Sequence, residues 1–503
     1  MKVLRTASAN ASAHPLQTGL TFDWIRLTAE LKKILDPKRV INKPEELLVY
    51  ECDGLVSYRQ RPALVVLPRT TEEVAQVVKL CSRYGVPFVA RGSGTGLSGG
   101  ALPVENSVVI ATTLMKQILE IDLDNRCMVV QPGVINTWIT QAVAAQGYFY
   151  APDPSSQSVC SIGGNVAENS GGVHCLKYGV TANHILGLTV VLPDGEVVCW
   201  GGKIPEMPGY DWVGLFVGSE GTLGIATEIT LRLLKAPAQV QVLLADFDSV
   251  EAAGSTVSDI IAAGIIPAGL EIMDNFSINA VEDVVQLGYY PRDAAAILLV
   301  EVDGLELEVE EASQQVRALC FKNGARQVQV ASDPEERARV WKGRKAAFAA
   351  MGKLSPNYYV QDGVIPRSQL AFVLKEIERL SREYGYPVAN VFHAGDGNLH
   401  PLILYDESVP GSLEQVEKLG GEILKLCVRL GGSISGEHGI GADKRCYMPE
   451  MFTPADLESM QWVRQVFDPQ HIANPGKIFP TPRTCGESAH AHSQPEWQGI
   501  PVF

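Results

Sequence analysis

The sequence predicts an α+β protein of more than one domain, and three observations carry that reading. Strand-length apolar runs alternate with stretches of helical periodicity along the chain. The pattern changes near Pro237, where a strand ends and longer strand–helix units begin. The length, 503 residues, exceeds what one ordinary core holds, so two or three domains are expected, with room for a large ligand between them. The expected division is an extension at 1–21, a first domain at 22–236, a second α+β domain at 237–440, a closing segment at 441–481 and a tail at 482–503.

Taken in order, Trp24 to Leu35 repeats apolar residues at helical spacing and stops before Pro37. Ala63 to Leu67 is a short strand. Thr70-Thr71-Glu72-Glu73 then caps the periodic helix Val74 to Tyr84. Val86 to Ala90 is a strand running straight into Arg91-Gly92-Ser93-Gly94-Thr95-Gly96-Leu97-Ser98-Gly99-Gly100. Strands follow at Ser107 to Thr112 and Met128 to Gln131, then a helix from Asn136 to Gln146 ending at Gly147. Ile225 to Leu234 is the last strand of the first domain. Beyond it, strands at Val240 to Asp246, Ala296 to Val302 and Gln327 to Ala331 alternate with amphipathic helices at 249–263, 305–323 and 367–384. Helices at 411–430 and 454–467 come last; His490 and His492, in the tail, are read as incidental.

Charge and composition exclude several classes. With 57 acidic against 42 basic residues the net charge is −15, and no Lys/Arg-rich block breaks it, so nucleic acid is not an expected partner. No apolar run reaches the length of a membrane span, which leaves a cytoplasmic protein or one peripheral to a membrane. Lys2 and Arg5 resemble a transit sequence faintly, but no apolar core follows, so residues 1–21 are read as a disordered extension. The 10 cysteines are scattered without a C-x-x-C pair, as in a reduced protein, and supply no iron–sulfur centre. Cys160 and Cys175 flank a glycine-rich stretch, and burial is preferred there to a redox pair.

Gly94-x-Gly96-x-x-Gly99 matches the dinucleotide fingerprint in form, but Pro103 and the β-rich Ser107 to Thr112 stand where a helix must begin. A conventional nicotinamide site is therefore not expected. Two more segments, Ile162 to Gly172 and Gly218 to Ile225, are also glycine-rich. Absent side chains let backbone N–H groups approach and cradle phosphate, so three segments together predict one long phosphate-bearing ligand held at several points.

The other chemical signal lies late. His393-Ala394-Gly395-Asp396-Gly397-Asn398-Leu399-His400 reads as a hairpin, with strands Val388 to Ala394 and Leu399 to Leu404 about an Asp396-Gly397 turn. Counting outward pairs 393 with 400, placing two imidazoles on one face with Cβ atoms about 5 Å apart and Asn398 beside them. Adding Glu437 from Gly436-Glu437-His438-Gly439 gives two imidazoles and a carboxylate, which leave open positions on a divalent Zn, Mn or Fe ion. His438, beside a ligand, is the natural general base.

These motifs carry a resemblance. Arg91 to Gly100, the Pro152-Asp153-Pro154-Ser155-Ser156 turn leading into Gly163-Gly164-Asn165, and Gly218 to Ile225 resemble the flavin-binding domain of the vanillyl-alcohol oxidase superfamily. The hairpin, Gly436 to Gly439 and Asn474-Pro475-Gly476-Lys477 resemble its C-terminal FAD-linked oxidase domain. Over residues 25–480 the chain is similar to FAD-dependent 2-hydroxy-acid dehydrogenases of the glycolate oxidase D subunit and D-lactate dehydrogenase type. The resemblance implies a two-part FAD-binding domain completed by the closing segment, and a substrate (cap) domain. It implies noncovalent FAD, since Thr95 stands where covalent members often carry histidine. Its FAD contacts fall on Arg91, Gly92, Ser93, Gly94, Thr95, Gly96, Leu97 and Ser98, and then on Pro132, Gly133, Pro152, Asp153 and Ser156. They continue through Gly163, Gly164, Asn165, Asn169, Gly171 and Gly172 to Glu220, Gly221, Ile225 and Asn474. Its metal ligands fall on His393, His400 and Glu437.

Taking a hydride from the α-carbon of a 2-hydroxy acid requires a carboxylate anchor, an electrophile at the hydroxyl, a base and an acceptor in line. The ion is the expected electrophile and His438 the base. Arg344, three residues after Trp341, suits bidentate capture of the carboxylate, a role the resemblance supports. Lys444, similar to a recurrent basic residue of the motif, and Asn398 complete the expected catalytic set. Leu402 and Val360 stand where hydroxyglutarate-type relatives carry Asn and Lys. A second carboxylate would meet apolar side chains there, at a cost of several kcal/mol. A short D-2-hydroxy acid is therefore expected, D-lactate ahead of glycolate. Quinone, cytochrome or an iron–sulfur subunit would serve as electron acceptor, and a homodimer stays open. The competing readings are a flavin-binding subunit of a glycolate oxidase electron-transfer complex and a metal-dependent hydrolase whose glycine loops bind a phosphate ester.

Overall fold

The computed structural model describes residues 22–204 and 208–480; the extension at 1–21 and the tail with His490 and His492 lie outside the described residues. The first core grows from a β–α–β unit. Thr70 caps the helix Thr71–Tyr84 by accepting from the Glu73 N–H at 3.2 Å, and Gly85, at φ +63°, ends it. Val74, Val77, Val78 and Cys81 on one face pack with Leu27 and Leu31 of the helix Trp24–Ile34.

The unit's strands belong to a four-stranded sheet in the order Val40–Ile41, Leu64–Val66, Val108–Ala111, Phe88–Arg91, the last three parallel. Phe88–Arg91 lies at one edge, and its C-terminal end delivers the first glycine segment. The late chain covers that edge. The Phe88 N–H donates to Ile472 O and the Asn474 N–H to Phe88 O, both at 2.8 Å. A five-stranded antiparallel sheet follows, ordered Ile118–Asp122, Cys127–Val130, Ile225–Arg232, Ile185–Val191, Val197–Gly201. The short helix Ile162–Glu168 buries Ile162 and Val166 in its core.

After residue 236 the architecture changes to a seven-stranded antiparallel sheet. Its order is Ala325–Ala331, Gln239–Phe247, Ala296–Gly304, Gly269–Asp274, Val388–Phe392, Pro401–Tyr405, Asn357–Val360. Alternate residues serve opposite faces: Leu243 and Ala245 join one core, Val242 and Leu244 the other. The first core is shared with the helices Val250–Ala262, Glu306–Lys322, Leu370–Tyr384 and Ser412–Arg429, the second with Asn275–Val285 and Pro334–Met351. Helix Pro454–Phe467 follows near the chain's end. No helix among the described residues is long and apolar enough to cross a membrane.

Candidate active site

The hairpin forms with a register different from the expected one. Ala389 pairs with Leu402 and His393 with Asn398, so four residues, 394–397, make the loop instead of two. Tertiary hydrogen bonds cause this. The Gly395 N–H donates to Leu270 O at 3.0 Å and the Ile365 N–H to Gly397 O at 2.9 Å, drawing the loop outward, while Asn398–Leu399 pairs with Gly363–Val364. The slip is two residues, which preserves side-chain parity, so the two histidines still share a face. Their ring centroids lie 5.0 Å apart.

Glu437 closes the group. Its Oε1 lies 3.4 Å from His393 Nε2 and 3.2 Å from His400 Nε2, and these three side chains could hold a metal ion. Neither ring nitrogen of the buried His400 has a hydrogen-bond partner, so even the 3.2 Å approach to Glu437 is misaligned for a proton. Convergence without hydrogen bonding suits a cation at the centre. The electrostatics agree: burial pulls the His393 imidazole down, but Glu271 and Glu437 outweigh it and carry it up to about 10. His438 stacks flat on His400, with centroids 4.9 Å apart and planes 3° from parallel, and burial pushes it down to about 4, leaving the neutral ring a base requires.

The turn presenting Glu437 and His438 is built on Asp362. This fully buried carboxylate accepts N–H bonds from Gly436, Glu437 and His438 at 3.1, 3.2 and 2.9 Å and the Ser435 hydroxyl at 2.6 Å. Lys444 Nζ completes the set at 3.0 Å. Burial raises the Asp362 carboxyl, but the Lys444 ammonium and the His438 and His400 rings outweigh it and hold it well below the ordinary value. Lys444 therefore sits behind the turn. Asn398 lies under Gly436, with its Oδ1 buried and unpartnered. Arg344, also buried, turns its Nε to Glu271 Oε2 at 2.7 Å.

A cavity of about 440 Å³ joins His400, Glu437 and His438 to the glycine segments, while Arg344, His393, Asn398 and Lys444 are buried and do not line it. One end is lined by Arg91 to Leu97, Pro132, Ser156, Gly163, Gly164 and Asn165, the other by Lys345, Phe348, Tyr358, His400, Glu437 and His438, with Gly171, Glu220, Gly221 and Ile225 also on its wall. Residues 62–200 match the model described as "FAD binding domain", and 236–478 match "FAD linked oxidases, C-terminal domain". The glycolate oxidase subunit GlcD of Escherichia coli strain K12 is 53% identical over 453 residues, 90% of this chain and 91% of the relative.

The chain belongs to the FAD-linked oxidase family.

GlcD of Bacillus subtilis is 41% identical over 90% of this chain and 96% of its own length, and the D-lactate dehydrogenase of Anaerostipes hadrus 35% identical over 89% and 96%. Among solved structures, p-cresol methylhydroxylase with substrate bound superposes with a TM-score of 0.78 at 17% identity, covering 92% of this chain and 98% of that one. The fold is thus the predicted one, of the vanillyl-alcohol oxidase type.

In this FAD-linked oxidase the cradle fits a flavin dinucleotide. A Cβ on Gly92 would overlap Ser161 Oγ, and one on Gly163 would lie 2.6 Å from Pro132 Cβ, so these glycines let the cavity-lining segments pack closely and leave main chain rather than side chains on the wall. Other residues named from the sequence hold the cradle from behind. Ser98 O accepts from the Ala442 and Asp443 N–H groups, and the Gly133 N–H donates to Met115 O. Pro152 O accepts from Asn136 Nδ2, Asn169 Oδ1 accepts from the Ala182 N–H, and Gly172 abuts Asp153. Asn474 Nδ2 ties Gly100 O to Glu220 O at 2.9 and 2.6 Å. Asp153 turns to His174 Nδ1 at 2.9 Å, and the other ring nitrogen meets Glu301 at 3.0 Å.

Two residues that the sequence reading left unassigned, Glu168 and Asp362, matter here, beside Glu220, which it placed among the FAD contacts. Glu168 and Glu220 both line the cavity; burial and Glu220 hold the Glu168 carboxyl well above its usual range, and burial carries Glu220 up to about 7. Asp362 gives no signal in the sequence, because a lone Asp before Gly363 reads as a turn. Leu402 and Val360 turn out to be direct cross-strand partners in the second core of the seven-stranded sheet.

Proposed function

We propose that this chain oxidises a short 2-hydroxy monocarboxylate, D-lactate or glycolate, to the 2-oxo acid with noncovalently bound FAD. FAD-linked oxidation of hydroxy acids agrees with the relatives named as glycolate oxidase subunits and D-lactate dehydrogenases. The observation that carries the reading is the one cavity lined by bare backbone at one end and by His400, Glu437 and His438 at the other. FAD, when bound, accepts the hydride, and a divalent ion, when held by His393, His400 and Glu437, polarises the substrate hydroxyl. His438 takes the hydroxyl proton on its neutral ring, kept in place by the His400 stack and the Asp362 anchor on its backbone. The Arg344 guanidinium receives the carboxylate. Phe348, edge-on to His400 with centroids 5.9 Å apart, gives the reaction end an apolar wall worth about 1 kcal/mol to a substrate methyl. We further assign the flavin domain to 22–236 completed by 441–480, supported by the Phe88–Ala473 bridge, and the substrate domain to 237–440.

The test is anaerobic. Purified protein is expected to be yellow and its flavin to bleach with D-lactate or glycolate but not with D-2-hydroxyglutarate; a colourless protein, or one bleached best by the dicarboxylate, overturns the reading. Dialysis against a chelator is expected to slow bleaching and added Zn or Mn to restore it. The word "subunit" in two relatives' names favours a second reading, in which the flavin passes electrons within a larger assembly; the native mass of the untagged protein taken from its source decides it.

A further inference from the structure

Glu271 is fully buried on Gly269–Asp274, the middle strand of the seven-stranded sheet. Its two carboxylate oxygens are divided between the two binding functions of the site. Oε1 lies 2.7 Å from His393 Nδ1. Oε2 accepts from Arg344 Nε at 2.7 Å and lies 2.6 Å from Nη2. That second approach is not aligned for a hydrogen bond, so the Nη2 hydrogens are not consumed by Glu271. A buried carboxylate is costly unless each oxygen is matched, and here one match is a candidate metal ligand and the other a candidate substrate anchor.

We infer that Glu271 is a positioning residue that joins metal binding and substrate-carboxylate binding into one rigid unit. On the His393 side it holds the proton on Nδ1, so that an ion replacing the Nε2 proton would meet a lone pair directed toward Glu437. On the Arg344 side it holds the guanidinium by Nε, so that the fork meets the ligand without first losing its rotamer freedom. The requirement is for two acceptor oxygens at once. A carboxylate offers two; a glutamine amide offers one acceptor and one donor. In Glu271→Gln the amide must therefore either face Arg344 with N–H against N–H, or donate to His393 and force the proton onto Nε2.

The metal half rests on the divalent-ion reading above; the arginine half does not. Two equilibrium measurements on the FAD-loaded protein separate them: zinc retained against a graded chelator, and perturbation of the oxidised flavin spectrum by pyruvate. Both Glu271→Gln and Glu271→Asp, the latter keeping the charge but drawn back by one methylene, are expected to weaken zinc retention 10–100-fold. Both are expected to weaken pyruvate binding at least tenfold. Glu301→Gln, a partly buried carboxylate in the same sheet bridging His174 and Trp341, is the matched control and is expected to leave both constants unchanged. If Glu271→Asp binds zinc and pyruvate as the wild type does, the inference is overturned, whatever the stability of Glu271→Gln. If the wild type itself retains no zinc, the ion reading falls, and a pyruvate affinity unchanged in Glu271→Asp would then overturn the remaining half.

Discussion

Replacing Lys444 by methionine tests whether this buried lysine acts on substrate or holds the turn that does. Its ammonium is 1% exposed and 3.0 Å from Asp362, itself 0% exposed. Removing one member of a buried pair costs about 3–5 kcal/mol, because the other charge is left uncompensated. Asp362 keeps three backbone N–H donors and the Ser435 hydroxyl, which places the cost at the lower end, about 3 kcal/mol. If that cost falls on the active arrangement of Glu437 and His438, kcat/KM for flavin reduction drops by roughly a hundredfold. The double variant Lys444→Met/Asp362→Asn removes the stranded charge. Its loss is expected to be well below the product of the single losses, with a coupling of about 1–3 kcal/mol. The assay is rapid-mixing reduction of the bound flavin by D-lactate or glycolate, with flavin content measured for every variant. A Lys444→Met enzyme within threefold of wild type, or single losses that simply multiply, would refute the reasoning, the second because it would mean Lys444 meets the substrate independently.

Three further outcomes are expected. Burial pulls His174 down, but Asp153 and Glu301 outweigh it and hold it well above its ordinary value, so its stabilising contribution is full below pH about 6.5 and fades as pH rises through the elevated value. His174→Gln should therefore melt below wild type at pH 6, with the gap closing in alkaline buffer; a gap that widens there contradicts the assignment. Gly171→Ala puts a methyl 2.6 Å from Glu437 Oε2 and 3.1 Å from Cys175 Sγ, so zinc retention, measured on protein matched for flavin content, should fall more than tenfold in chelator titrations. His438→Gln should retain flavin and lose about 10²–10⁴-fold in the rate of flavin reduction, read by stopped flow; a smaller loss removes it as the base.

Local signals located most of this molecule. The Thr70 cap, the helix end at Tyr84, the Gly147 stop and the strands around 240 and 296 all form within a residue or two of expectation, because each rests on neighbouring residues alone. The hairpin is the informative case. Asp396-Gly397 promised a two-residue turn, and contacts with Leu270 and Ile365, more than 25 residues away in sequence, opened it to four. Parity alone carried the histidine pair through that error. Glu271 had no local signal, since a single Glu among Leu270, Ile272 and Met273 reads as the wet position of a half-buried strand. Its burial depends on Arg344 and His393 arriving from residues 73 and 122 positions further along the chain.

The junction between the two halves of the site explains why its glycines recur where they do. Residues 436–441 thread between elements of the flavin half: the Ile440 and Gly441 N–H groups each donate to Glu220 at 2.7 Å, and Ser98 O accepts from Ala442 and Asp443. Gly439, at φ +82°, leaves no space for a Cβ, which would lie 2.9 Å from Glu220 Oε1 and overlap Glu168. On the other side Gly171 presses against Glu437 itself. Main-chain N–H groups of residues 440–443 donate all of these bonds, two to the fully buried Glu220 carboxylate and two to Ser98 O, so one buried side chain and one main-chain carbonyl set the separation between the cradle and the histidine cluster. Hydride transfer tolerates only small errors in donor–acceptor spacing, and a spacing fixed by buried hydrogen bonds is established before the substrate arrives. Each glycine read alone is a turn; read together they are the close approach that lets residues near 440 complete a site begun at Arg91.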